Sequence, residues 1–196
     1  MKLTLDWNCV IEVEEVRSQC CDVLELIERH RAGSIEVALL AASASENTKS
    51  KVFPGNAEVF MARVAQLGWD DLPLVRMPGV YGLSYWDFAY YVNDADLFDQ
   101  QMAAIWSIIA PKVRQELSDH LPGIRDPSDG ILQSPQLAKW RNTWCDVMSA
   151  YCHIHERRDI FVTNNTRDFQ ANAKGLAALG MIQIATPVET VRLTAP

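Results

Sequence analysis

The chain lacks what a membrane protein or a secreted disulfide scaffold would need. No stretch approaches the roughly 20 consecutive apolar residues of a membrane-spanning helix. The opening Met1-Lys2-Leu3-Thr4-Leu5-Asp6 has neither the apolar run nor the small-residue cleavage site of a signal peptide. Five cysteines (Cys9, Cys20, Cys21, Cys145 and Cys152) are an odd number without framework spacing, which fits reduced thiols better than bridges. Together these absences predict a cytoplasmic protein. Positive charge is also scarce: 18 Lys and Arg face 25 Asp and Glu, a formal net charge of −7. That excludes a protein that coats nucleic acid through net charge alone. It does not exclude a nuclease, because carboxylates gathered around cations inflate the negative count while the cations reverse the local field. Low-complexity tracts and internal repeats are absent as well.

What the chain does have is enough material for one well-filled core, with 48% hydrophobic residues in a length of 196. The expectation is a single domain over 1–196 with an elaboration at 69–130. Lys2 to Leu5 reads as a short strand ending at Asp6, and Val10 to Arg31 as a helix with Val16, Val23, Leu24 and Ile27 on one stripe. Gly33 ends it, and the apolar run Ile35 to Ala41 is of the kind buried on both faces of a parallel sheet. A β-α-β unit with a right-handed crossover follows. Ser43, Ser45 and Asn47 offer capping side chains, and Asn56 to Leu67 is a further helix closed by Gly68. From Trp69 to Tyr91 prolines and glycines alternate with aromatics. Asp94 to Leu121 returns to helical periodicity, broken near Pro111, before a loop with Pro122, Gly123, Pro127 and Gly130. The last third alternates again: a helix over Leu137 to Arg157, a strand at Ile160 to Thr163, a helix over Ala171 to Leu179, a strand at Met181 to Ala185, and a short helix opened by Thr186-Pro187.

Functional residues of a parallel α/β sheet collect beyond the carboxyl ends of its strands, where the loops face one crevice. Asp6 ends the first strand, Glu46 lies just past the second, and Asp168 just past the Ile160 strand. Asp146 sits in the helix that feeds that strand. An all-carboxylate set of this kind suits hard cations such as Mg²⁺ or Mn²⁺.

Asp6-Trp7-Asn8 after a short strand resembles the Asp-x-Asn opening of the PIN-domain nucleases. Val162-Thr163-Asn164-Asn165-Thr166-Arg167-Asp168-Phe169 closely resembles the fourth motif of the bacterial VapC-type members. Asp146, in Cys145-Asp146-Val147-Met148, is similar to the family's third acidic residue, and Glu46, in Ser43-Ala44-Ser45-Glu46, to its second. Thr186-Pro187-Val188-Glu189 is similar to the closing segment. The resemblance covers roughly 1–46 and 137–196 and leaves the middle unmatched. It implies a three-layer α/β/α sandwich with a central, mainly parallel sheet. It also implies Mg²⁺- or Mn²⁺-dependent hydrolysis of RNA by metal-activated water, performed by a toxin of a toxin-antitoxin pair or by an RNA-processing enzyme. Asp6, Glu46, Asp146 and Asp168 would be the catalytic metal ligands, with Asn8, Thr163 and Asn165 orienting them and Arg167 meeting a phosphate. RNA, an antitoxin-like protein and a second copy of the chain would be the partners.

Two departures bear on this. Trp7 stands where the family usually has a small hydroxyl residue, and would either narrow the site or turn into the core. Asn165 replaces an Asp found in many members, which questions two-metal operation and keeps a second reading in view, a catalytically degenerate binding or scaffold module. Three other features take plainer readings. Tyr81, Tyr85, Trp86, Phe88, Tyr90 and Tyr91 default to core or dimer packing, with base stacking as the alternative. Cys145, Cys152, His153 and His155 match no zinc spacing. Asp94, Asp96 and Asp99 read as the start and surface of a helix.

Overall fold

The computed structural model describes residues 1–46, 56–121 and 134–195. Asn47, Pro122, Gly123, Pro127 and Gly130 lie outside the described residues. Five parallel strands form the central sheet: β1 (Lys2–Leu5), β2 (Glu36–Leu40), β3 (Leu74–Val75), β6 (Ile160–Val162) and β7 (Gln183–Ala185), in the spatial order β3-β2-β1-β6-β7. A separate two-stranded pair, β4 (Met77–Pro78) with β5 (Ala89–Tyr90), lies between β3 and β6 in the chain. Seven helices are described: α1 (Trp7–Glu14), α2 (Cys20–Arg31), α3 (Glu58–Gln66), α4 (Ala95–Ile109), α5 (Ala138–His155), α6 (Ala173–Ala178) and α7 (Pro187–Leu193).

Residue alternation along the strands explains the layers. Leu3, Leu5, Val37, Leu39, Ile160 and Val162 point to one face, where they meet Val10, Val23, Leu26, Ile27, Phe60 and Val64 of α1, α2 and α3. Ala38, Leu40 and Phe161 point to the other, against Ile105 and Trp106 of α4, Trp144, Val147 and Met148 of α5, and Leu176 of α6. Both faces are therefore covered, giving a three-layer α/β/α sandwich around the parallel sheet. Each fully buried leucine in these strands contributes on the order of 2 kcal/mol from burial alone. No helix among the described residues is long and apolar enough to cross a membrane.

The register sets up the functional edge. Leu3 pairs with Ile160 and Leu5 with Val162 across β1 and β6, while Lys2 to Thr4 pair with Glu36 to Ala38 across β1 and β2. The chain builds outward from β1 to β2 and β3 on one side, then returns to place β6 and β7 on the other. The β1–β6 boundary is thus the point where strand order reverses, and parallel α/β sheets hold their sites beyond the carboxyl ends at such a point.

Several local expectations need correction. Val10 to Arg31 is two helices, not one: α1 ends at Glu14, Val16 takes the left-handed φ of 50°, and α2 begins at Cys20. A β-branched residue in that conformation is strained, and the turn carries Val16 out to 79% exposure. The buried stripe of α2 is Val23, Leu26 and Ile27, and Leu24 is exposed. Residues Ala41–Ser45 form a 3₁₀ turn in which Ser45 caps no helix among the described residues; its hydroxyl donates to the Leu83 carbonyl. Elsewhere local chemistry suffices. Asn56 Oδ1 accepts from Glu58 N at 3.0 Å as α3 begins, and Gly68, at φ 66°, ends it. Asp94 caps α4 by accepting from Leu97 N, and Thr186 with Glu189 forms a capping box on α7.

Candidate metal centre

Asp6 is fixed before its side chain is considered. Its backbone N–H donates to the Val162 carbonyl at 3.0 Å, so the ladder between β1 and β6 continues one residue past β1 and fixes Asp6 at the carboxyl edge of the sheet. The side chain is 5% exposed, and three donors hold it. Trp7 N donates to Oδ1 at 2.8 Å; Thr163 Oγ1 donates to Oδ2 at 2.6 Å, and Asn8 Nδ2 donates to the same oxygen. Asn8 also donates to Thr163 Oγ1 at 2.9 Å, and its own Oδ1 accepts from Asn164 N at 3.0 Å. Residues 157 positions apart in sequence are therefore tied through one carboxylate. Burial pushes the Asp6 carboxyl up to about 6, against the lowering pull of those hydrogen bonds.

Glu46 and Asp146 lie within electrostatic reach of Asp6, and Asp168 within reach of Asp146. Glu46, at the end of the 3₁₀ turn after β2, is held well above the usual carboxylate range by burial and then by the charges of Asp6 and Asp146, with Arg63 opposing. Asp146 is raised likewise, by burial and by Asp6 and Asp168, with Arg167 opposing. The four acids form a chain, with Asp146 linking Asp168 to the pair of Asp6 and Glu46. Asp168 is placed by a reciprocal turn: Asn165 Nδ2 donates to its Oδ2 at 3.0 Å, and its backbone N donates to Asn165 Oδ1 at 3.1 Å. Asn165 N donates in turn to Thr163 Oγ1 at 2.9 Å. Asn8, Thr163 and Asn165 each touch a carboxylate. Arg167, its side chain 89% exposed, reaches Asp168 Oδ1 at 3.4 Å.

The donor set is all oxygen and suits a hard cation. Among the described residues, no group of three His, Cys, Asp or Glu side chains is gathered closely enough to enclose an ion. An ion of opposite charge would offset the mutual repulsion of such carboxylates. The five cysteines are unbridged.

Trp7 turns into the core. It is buried against Phe60, ring centroids 5.1 Å apart, and the Arg63 guanidinium stacks over it at 4.5 Å. Arg63 is pinned by both oxygens of Glu14, Nε to Oε1 at 2.7 Å and Nη2 to Oε2. This cation beside Glu46 escaped sequence reading because its partners lie 49 and more residues away. Gln19 escaped too, hidden in what reads as continuous helix. It donates to Asn164 Oδ1 at 2.8 Å and accepts from Val188 N at 3.1 Å, tying the loop after β6 to α7.

Comparison with models of known families, with curated proteins and with solved structures brings no match.

Proposed function

We propose that the chain is a divalent-metal-dependent ribonuclease of the PIN type, hydrolysing RNA phosphodiester bonds at the crevice between β1 and β6. One observation carries the reading: Asp6, at the sheet's switch point, is oriented on both oxygens by donors from two segments, with Glu46 and Asp146 within electrostatic reach of it and Asp168 within reach of Asp146. The charge of Asp6 raises both Glu46 and Asp146, a repulsion that a bound cation would relieve and that Arg63 and Arg167 oppose only in part.

Asp6 and Asp146 are the principal ligands in this reading, with Glu46 and Asp168 completing the set or orienting waters. Bound Mg²⁺ or Mn²⁺ would supply a water of lowered pKa and neutralise charge at the phosphodiester. Thr163 and Asn8 keep Asp6 in place, and Asn165 spends both ends of its amide on Asp168, so it holds a ligand rather than replacing one. Arg167, beside Asp168 and open to solvent, is the phosphate contact. The family resemblance extends the proposal to a homodimer and to either an antitoxin partner or a stand-alone RNA-processing role; the long middle segment favours the second.

Calorimetric titration with Mn²⁺, paired with cleavage of an unstructured RNA, tests this. The wild type binds metal and cleaves, and Asp6→Asn loses most of both. Full Mg²⁺-dependent cleavage by Asp6→Asn sinks the assignment. The spread of the carboxylates favours one other reading, a PIN-like scaffold without catalysis. A folded sample that takes up no Mn²⁺ at millimolar concentration selects it.

A further inference from the structure

Gln19 caps the start of α2, in the break that separates this helix from α1. Within the break Val16 takes its left-handed φ of 50°, Arg17 N donates back to Glu12 O at 2.9 Å, and Gln19 N donates to the buried Glu12 carboxylate at 3.2 Å. A strained β-branched turn of this kind persists only where surrounding contacts hold it. Here it brings the Gln19 side chain between two distant segments. Its Nε2 donates to Asn164 Oδ1 at 2.8 Å, and its Oε1 accepts at 3.1 Å from Val188 N in the first turn of α7.

Polarity passes through these contacts in one direction. A backbone N–H can only donate, so Val188 fixes which end of the Gln19 amide is oxygen and turns Nε2 to Asn164. Asn164 must then present Oδ1, although its Nδ2 is left buried with no partner among the described residues. Turning that amide over would set donor against donor. The Asn164 backbone N–H donates in turn to Asn8 Oδ1 at 3.0 Å, and by the same logic points Asn8 Nδ2 at Asp6 Oδ2 and Thr163 Oγ1. Were the Asn164 N–H displaced, nothing in the loop would stop the Asn8 amide from turning its oxygen on the Asp6 carboxylate.

We propose that Gln19 is a positioning residue of the metal centre: through Asn164 it holds the loop after β6 so that Asn8 gives Asp6 its donor end. This rests on the metal-binding reading above. Gln19 itself bonds to none of the four carboxylates among the described residues; its influence reaches Asp6 through two amides. The same loop carries Thr163, which donates to Asp6, and Asn165, which donates to Asp168, so its placement bears on two of the ligands. A tie that only joined α2 to α7 would have no such path. Arg29 is a tie of that kind, its Nη1 donating to Val191 O and Thr194 Oγ1, both at 2.7 Å.

The test is a double-mutant cycle read by calorimetric titration of the full chain with Mn²⁺, beside urea unfolding of each metal-free variant. Gln19→Met, close to glutamine in size but without its hydrogen bonds, weakens Mn²⁺ binding by about fivefold, less than the roughly tenfold or greater loss from a group that touches a ligand directly. Asn164→Ala does the same, and the double variant is no weaker than the worse single, because both changes cut one path. Arg29→Met unfolds at lower urea yet binds Mn²⁺ like wild type. Should Gln19→Met fail to fold, Asn164→Ala set against Arg29→Met reads the same path from its other end. Wild-type affinity in Gln19→Met overturns the proposal. So do losses that multiply in the double variant, or an Arg29→Met that weakens binding as much, since affinity would then merely follow stability. A folded wild type that takes up no Mn²⁺ defeats the parent reading and this one with it, whereas a wild type that binds no better than Gln19→Met defeats this one alone.

Discussion

His153 lies fully buried in α5, its Nδ1 3.0 Å from Thr4 Oγ1 and its ring edge-on to Phe161 at 5.4 Å. Its Nε2 has no hydrogen-bond partner among the described residues. Burial, with the neighbouring charge of Arg158, pushes its pKa from 6.5 down to about 3. The folded state therefore resists a proton that the unfolded chain accepts. The stability linked to this group is complete above pH 6.5 and is lost progressively as pH falls toward 3. At about 1.4 kcal/mol per unit, lowering the pH from about 7.5 to about 4.5 costs about 3 kcal/mol. His153→Asn keeps a polar atom near the Nδ1 position but cannot titrate. Urea unfolding of both proteins across that pH range, in EDTA, isolates the contribution, because carboxylates that titrate in both cancel in the difference. The variant is less stable than wild type near neutrality, from lost ring packing, and the gap narrows by about 3 kcal/mol at the acid end. Parallel stability profiles would refute the reasoning.

The carboxylates carry the opposite sign. Asp6, raised to about 6, binds its proton more tightly when folded, so its contribution is present below 3.8 and lost as pH rises through 6. Without metal, Asp6→Asn should therefore gain on wild type by about 3 kcal/mol between roughly pH 4 and pH 8, read as a rise in the melting-temperature difference; a difference that does not vary with pH contradicts it. Thr163→Val removes the hydroxyl that donates to Asp6 and accepts from Asn8 and Asn165, and should weaken Mn²⁺ binding by about tenfold while Thr163→Ser stays near wild type. Equal affinities for the two variants would discount that role. Arg63→Met breaks the paired contact with Glu14 and the stack on Trp7, and should cost roughly 1–2 kcal/mol in metal-free urea unfolding. An unchanged midpoint would show the pair to be idle.

Much of this protein is legible locally. The continuous apolar run in Glu36–Leu40, the cap at Asp94, the glycine that ends α3 and the capping box at Thr186 each depend on residues within a few positions of one another. That is why the alternation of strand and helix, and the carboxylates at strand ends, can be read from residue order. The break between α1 and α2 cannot, because helical periodicity runs through Val16 and only the packing of the two helices rewards its strained φ of 50°. Which way Trp7 turns was equally undecided by its position after Asp6; Phe60 and Arg63, supplied by α3, make the buried orientation favourable. Asp6, Glu46, Asp146 and Asp168 could be named from the sequence as strand-end and helix acids. Their placement within electrostatic reach of one another and the tie of Asp6 to Thr163 through the β1–β6 register were decided by tertiary structure alone. The physical reason is separation: hydrogen bonds and charges act over a few ångströms in space, and only the assembled sheet brings residues 6 and 163 within that range.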